Sequence, residues 1–326
     1  MPINHYHGNL MLIINPTAGK NRARAELYDI VQLLFVSGYR VTVYPTLNKG
    51  DATRYIKEYS REFENIICVG GDGTLNEVVT GLMELPPPER RTLGYIPAGT
   101  TNDFASTLGL DGSDMIKCAQ GFVSGIYHSC DIGRFNGRYF TYVAAFGAFT
   151  EVSYETPQEM KNALGHAAYI MQGIKSLPAL QPYHLEIEAD SKHIEGDFIY
   201  GQFSNSTSIA GIMDIRSTGV ALDDGLFEVM LVKMPTNLIE LSEIVTAMMN
   251  RKFTDCPHIF FHHAKRVIVR SKRGLHWTLD GEDGGTTTEA VAQCIPRAVT
   301  LRLPQSESSA FLESERSRQI AMHMEQ

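Results

Sequence analysis

The sequence predicts an α/β N-terminal domain, with a mostly parallel sheet and helices on both faces, followed by a larger β-rich antiparallel C-terminal domain. Three observations carry this expectation. In the first 130 residues short apolar runs alternate with stretches of helical periodicity, the pattern of right-handed βαβ units. From about Asp131 onward, turn residues separate a series of strand-like runs, with only two helical stretches among them. The chain has 326 residues, enough for two separate cores. The expected division is residues 1–130 and 131–303. A polar tail, 304–326, either docks back on the first domain or frays.

Asn9 to Ile14 (NLMLII) is an apolar run stopped by Asn15-Pro16, as a buried strand is. Leu27, Ile30, Val31 and Leu34 then recur at helical spacing, and Gly38 ends that helix. Val41 to Tyr44 reads as a second strand. Asp51 caps another helix, with Tyr55, Ile56 and Tyr59 on one face. Ile66 to Val69 is a third strand, leading into a glycine cluster and a helix from about Thr74 to Met83. Leu93 to Ile96 is a fourth. In the second half Asn136-Gly137 marks a hairpin. Strands are expected over His184–Ala189, Ile194–Phe203, Leu226–Lys233, Lys265–Val269 and Val299–Leu303. The two helices are expected over Gln158–Ser176 and Asn237–Asn250.

Composition narrows the classes of function. Hydrophobic residues make up 43% and charged residues 20%, the balance of a folded globular protein. The net charge of −8 is the wrong sign for binding nucleic acid through bulk charge. No run approaches the roughly 18 apolar residues of a spanning helix, and the N-terminus lacks the marks of a signal peptide. The five scattered cysteines point to free thiols in a reducing cytosol. A cytoplasmic protein is expected.

The chemistry concentrates where strands meet loops. Gly70-Gly71-Asp72-Gly73-Thr74 joins the third strand to a helix. Its glycines allow backbone to approach a phosphate, and the helix offers free N–H groups and the positive end of its dipole. A carboxylate at Asp72 makes sense there if a magnesium ion bridges it to phosphate, or if it positions the attacking group. Taken alone, the motif is also compatible with a tight strand–helix turn. It follows neither common phosphate-binding rule: Ile14 stands where a P-loop needs glycine, and Gly71-x-Gly73-x-x-Asn76 lacks a third glycine. The loops Asn15–Lys20, Thr46–Asp51 and Pro97–Asp103 also end strands in this half, and ligands bind at the carboxyl edge of such a sheet. Each loop alone is ordinary turn chemistry. Elsewhere, His262 and His263 are adjacent on a strand and face opposite ways, which disfavours a shared metal. The basic residues Arg251, Lys252, Lys265, Arg266, Arg270, Lys272 and Arg273 form a solvated face or orient the protein on an anionic bilayer.

Together, Asn15-Pro16-x-x-Gly19, Gly70-Gly71-Asp72-Gly73-Thr74-x-Asn76-Glu77 and Pro97-x-Gly99-Thr100-x-Asn102-Asp103-Phe104-Ala105 resemble the diacylglycerol kinase catalytic domain. That superfamily also holds sphingosine and ceramide kinases. Leu222-Asp223-Asp224-Gly225-Leu226 and Leu279-Asp280-Gly281-Glu282 extend the resemblance to about residues 9–303. With Val152–Pro157 added, the chain is most similar to the soluble bacterial diacylglycerol kinases. The glycine cluster alone is shared with NAD kinases.

The resemblance implies ATP contacts at Asn15, Pro16, Thr17, Ala18, Gly19, Lys20, Thr46, Gly71, Asp72, Gly73, Thr74, Leu75, Asn76, Glu77, Thr100, Asn102 and Asp103. It implies a charged network of Lys20, Asp72, Asp103 and Asp131 beside the phosphates, with Asp72 acting through a catalytic magnesium. Glu282 inherits the role of general base, and Asp280 in the same stretch is implied to be catalytic as well. A second, structural magnesium maps to the Asp224 side chain and the carbonyls of Ala221 and Leu226. The expected substrate is a diacylglycerol-like membrane lipid, phosphorylated with ATP and Mg2+ by a homodimer at the inner face of the membrane. Two alternatives stay open: a kinase of another lipid alcohol, such as phosphatidylglycerol or a sphingoid base, and a catalytically silent nucleotide- or lipid-binding regulator.

Overall fold

A computed structural model describes residues 6–147, 181–206, 208–209, 213–214, 221–250 and 252–305. The expected helix over Gln158–Ser176, the stretch Val152–Pro157, Arg251 and the tail beyond 305 lie outside the described residues.

The first half follows the expected rotation of strand and helix. β1 (Gly8–Ile14), β2 (Tyr39–Pro45), β3 (Asn65–Gly70) and β4 (Thr92–Pro97) form a parallel sheet in the order β4-β3-β1-β2. β1 and β3 are buried almost throughout, which is why they read as continuous apolar runs. Between the strands lie α1 (Ala18–Val36), α2 (Asp51–Tyr59) and α3 (Asp72–Met83), and α4 (Asp103–Thr107) and α5 (Met115–Ser124) follow β4. α1 packs on α5 and α2 packs on α3. Ile30 and Leu34 of α1 are fully buried, with Leu27 and Val31 packed beside them, as the periodicity predicts. Two starts differ from expectation. The α3 helix begins at Asp72 rather than Thr74. Gly50, not Asp51, is the N-cap of α2, because the Asp51 carboxylate reaches back to the N–H groups of Leu47 and Asn48 at 2.9 and 2.8 Å.

The second half is antiparallel. β5 (Ile126–Phe135) and β6 (Arg138–Phe140) form the expected hairpin, with Asn136 and Gly137 at φ 45° and 89°. β7 (Val143–Gly147), β8 (Tyr183–Ala189), β9 (Lys192–Ser204), a small ladder of β10 (Ser208–Ile209) and β11 (Met213–Asp214), and β12 (Phe227–Lys233) follow. Next come α6 (Leu238–Asn250), β13 (Ile259–Ala264), β14 (Arg266–Leu279) and β15 (Glu282–Leu303). The expected strands Lys265–Val269 and Val299–Leu303 are thus fragments of two long strands, β14 and β15. Asp280 and Gly281, at φ 50° and 80°, join these two strands in a tight hairpin.

β15 ties the halves together. It pairs antiparallel with β14 and β5, and Leu301 near its end pairs parallel with Leu93 of β4. The sheet therefore runs without a break from β13 to β2. A second core lies in the antiparallel half, around Trp277, whose ring centre is 4.7 Å from that of Phe135 and 4.9 Å from that of Phe146. All five cysteines are buried free thiols. No described helix is long and apolar enough to cross a membrane.

Candidate active site

The carboxyl ends of β1, β2, β3 and β4 lie in register. Asn15 N–H bonds the Val69 carbonyl, Thr46 N–H the Ile14 carbonyl and Ala98 N–H the Gly70 carbonyl, at 2.8–2.9 Å. The loops that follow are thereby gathered on one edge. Asn15 Oδ1 accepts the N–H and hydroxyl of Thr17, and its Nδ2 reaches Thr74 Oγ1 at 3.4 Å. Pro16 and Thr17 make the turn into α1. Gly19, Lys20 and Asn21 then all take left-handed backbone, φ 58°, 56° and 73°, so α1 becomes regular only after them. A side chain at Gly19 would lie 2.2 Å from the Ala98 carbonyl oxygen, which excludes every other residue type.

The loops after β3 and β4 touch each other. A Cβ on Gly99 would sit 2.7 Å from Gly71 Cα. Asn102, at φ 51°, holds that loop shut by accepting from Gly99 N–H and donating to the Gly99 carbonyl. Thr100, Asn102, Ser106 and Ser113 line a cavity of about 300 Å3 beside the α1 start. Arg22 borders it, with its guanidinium on the Gly112 and Ser113 carbonyls. Within α3, Thr74 packs under Gly70, whereas Leu75 is fully buried in the core, so only its backbone is available to a ligand. Glu77 accepts from the N–H groups of Gly50 and Ala52, fixing the loop that carries Thr46.

Acidic residues form two groups. In the first, Asp72 accepts from the N–H groups of Asp103 and Phe104 at 3.1 and 3.3 Å. Burial pushes its carboxyl up to about 6, and the neighbouring Asp103 adds to this. Burial also raises Asp103, against the Tyr142 hydroxyl that donates to it at 3.3 Å. Asp280 is buried and accepts five hydrogen bonds: from the N–H and hydroxyl of Thr141, the N–H groups of Tyr142 and Val143, and Asn76 Nδ2. Burial raises its pKa, and the backbone donors oppose that. Glu282, two residues on, points elsewhere because Asp280 and Gly281 form the turn itself. It is about half exposed, ion-paired with Lys49, and close enough to α3 that a Cβ on Gly73 would lie 3.0 Å from its Oε1.

The second group surrounds the 221–226 turn. Asp131 is fully buried and accepts from the N–H groups of Gly225 and Arg297. Burial pushes it up to about 6, with Asp224 and Asp223 adding to the rise. Its bonds run to this turn, so the single network expected of Lys20, Asp72, Asp103 and Asp131 is divided: Asp131 belongs with Asp224. Asp224 Oδ1 accepts from Leu226 N–H at 2.9 Å, and Gly225 sits at φ 80°. Glu228 is fully buried beside them, and burial raises it well above the ordinary carboxylate range against the opposing backbone N–H groups of Glu228 and Ser206. Carbonyl and carboxylate oxygens gathered at this turn are compatible with a hard cation, although the described residues contain no cluster of three His, Cys, Asp or Glu side chains close enough to share a metal.

Thus the structure brings Asn15–Lys20, Thr46, Gly71–Glu77, Thr100–Asp103, Asp280 and Glu282 to one edge, and sets Ala221, Asp224 and Leu226 apart with Asp131. Sequence reasoning missed Lys49 and Tyr142. The signal for Lys49 was a cation inside a loop already assigned to the edge. Tyr142 carried none, being one aromatic in an apolar run.

Residues 9–135 match the family model of the diacylglycerol kinase catalytic domain, and residues 144–303 match that of the YegS C-terminal NAD kinase beta sandwich-like domain. A diacylglycerol kinase of Bacillus subtilis (strain 168) is 38% identical over 275 residues, covering 84% of this chain and 89% of its own. One from Staphylococcus aureus (strain MRSA252) is 37% identical over 275 residues, covering 84% and 86%. The crystal structure of a protein from Bacillus anthracis str. Sterne, named provisionally as a diacylglycerol kinase, superposes with a TM-score of 0.76 at 26% identity, over 92% of this chain and 98% of that one.

Proposed function

Since the chain belongs to the diacylglycerol kinase catalytic-domain family and is an enzyme of the lipid-kinase class, we propose that it transfers the γ-phosphoryl group of ATP to the hydroxyl of diacylglycerol. The observation that carries this reading is the convergence of the glycine loops, Asp72 and Glu282 on the first turn of α3. Phosphoryl transfer asks for little beyond positioning, charge neutralisation and a proton acceptor. The Gly71–Thr74 backbone and the helix end receive the phosphates. The loops of Asn15–Lys20 and Thr100–Asp103 shape the nucleotide cleft. The lipid oxygen forms the new P–O bond as the bond to the β-phosphate oxygen breaks, ADP leaves, and Glu282 takes the hydroxyl proton. Asp72 is the carboxylate suited to hold a magnesium ion, which when bound screens the phosphate charge. Asp280 has every lone-pair direction engaged, so it positions the hairpin instead of reacting.

In this reading residues 1–130 serve the nucleotide and 131–303 the lipid. Because its substrate resides in a bilayer, the enzyme works at the inner membrane surface as a peripheral protein. The homodimer implied by the resemblance belongs to the same reading. The test is transfer from radiolabelled ATP to a panel of dispersed lipids, with products resolved by chromatography. Label should enter phosphatidic acid, depend on magnesium, and fall about 10²–10⁴-fold in Glu282→Gln. Label in another lipid would reassign the acceptor, and more than half of wild-type activity in Glu282→Gln would remove the base.

A further inference from the structure

We propose that Lys49 is a positioning residue for Glu282: its ammonium group clamps the carboxylate over the first turn of α3 and joins the β2–α2 loop to the β14–β15 hairpin. This rests on the reading of Glu282 as the proton acceptor. Among the described residues, Lys49 is the ion-pair partner of Glu282. The two residues come from opposite halves of the chain, 233 positions apart.

The backbone on each side of the pair is held. On the Lys49 side, Asp51 binds the N–H groups of Leu47 and Asn48, and Glu77 binds those of Gly50 and Ala52. Four hydrogen bonds to two carboxylates thus bracket Lys49 and leave only its side chain to move. On the other side, Asp280 anchors the hairpin through its five bonds, one of them from Asn76 of α3. Glu282 follows the turn as the first residue of β15 and is about half exposed. Its backbone is fixed, but without a partner its side chain would be free to rotate into solvent. The ammonium supplies the missing constraint.

The location makes the constraint matter. Glu282 must meet a hydroxyl that arrives from the lipid side, while the phosphates arrive from the α3 side. Lys49 stands on the nucleotide side of that meeting point. An exposed ion pair contributes little to global stability. Covering the site with substrate removes water and strengthens the same pair, so its effect falls on catalysis instead.

The experiment is a double-mutant cycle on the full chain, read by initial-rate kinetics and by nucleotide binding in calorimetry. Lys49→Met should lower kcat about tenfold, a modest share of what misplacing a reacting group costs. The KM and Kd for MgATP should stay within about twofold, and melting should be unchanged. Lys49→Arg should restore most of kcat, because it returns the charge. In a Glu282→Gln background, Lys49→Met should cost nothing further. Three outcomes would overturn the proposal. These are Lys49→Met with wild-type kcat, a loss confined to nucleotide affinity, or a full additional loss in the Glu282→Gln background. If Glu282→Gln is itself active, the reading of the base fails first, and the cycle shows that separately.

Discussion

Asp72 is a carboxylate in a place that does not favour its charge. Burial and the adjacent Asp103 raise it from an ordinary 3.8 to about 6. A raised acid contributes stability that is complete below its unfolded pKa and is lost as pH rises through the folded one. Between about pH 4 and 6 the magnesium-free protein should therefore lose stability on account of this group. Asp72→Asn does not titrate. It should be more stable than wild type at pH 7.5 by about 1 kcal/mol, discounted from the full shift because Asp72 is only partly buried and the amide loses one acceptor. The gap should narrow at pH 4.5, and transfer activity should be lost at both pH values. Urea unfolding at the two pH values checks this. A gap that does not change with pH would show that Asp72 is not the group responsible. Asp72 was legible in the sequence because a carboxylate among glycines of the kind that suit a phosphate is an anomaly that demands a role. Lys49 was not, because a single lysine in a polar loop is ordinary, and its importance comes from a partner 233 positions away.

The β14–β15 hairpin shows what motif reading leaves undecided about an element. The sequence places Asp280 and Glu282 in one stretch, and the resemblance implies a catalytic role for both. Folding separates them: one is buried with five donors, the other is half exposed. Asp280→Asn should destabilise the protein by about 2–4 kcal/mol, because its amide turns donor toward donor and strands buried N–H groups. Activity per folded molecule should fall less than in Glu282→Gln. Were Asp280 the reacting group, Asp280→Asn would melt normally and be inactive, and calorimetry beside single-turnover rates distinguishes the two. The length of these strands also escaped sequence reading, for a physical reason. Lys272, Arg273 and Gly274 interrupt the alternation of β14, and the register shifts between Arg270 and Leu275. In β15 the run Glu282–Glu289 is largely polar and solvent-facing, and the register slips again between Ile295 and Val299, around Pro296. By contrast the parallel strands were legible because burial on both faces leaves little room for polar residues.

The continuous sheet sets how the two halves of the molecule depend on each other, and the 221–226 turn lies where that dependence can be tested. Asp131 on β5 receives N–H groups from Gly225 of the turn and Arg297 of β15, so it ties the turn to the strand that runs on to β4. Asp131 and Glu228 are fully buried, and Asp223 and Asp224 stand beside them. His263 Nε2 is 3.9 Å from Glu228, but burial lowers its pKa, so it offers little counter-charge. Burial raises the Asp131 and Glu228 carboxyls toward their neutral forms, and an ion held by Asp224 with the Ala221 and Leu226 carbonyls would favour their charged forms. Magnesium keeps several waters, so three protein ligands are sufficient. Nucleotide-free wild-type protein should therefore melt higher as magnesium is added, gaining about 2.7 kcal/mol at a hundredfold excess over Kd. Asp224→Ala should lose that gain and part of its activity, while its affinity for MgATP changes less than twofold, because the proposed nucleotide edge lies elsewhere. Equal gains in the two proteins would place the ion away from Asp224, and no gain in wild type would remove it altogether.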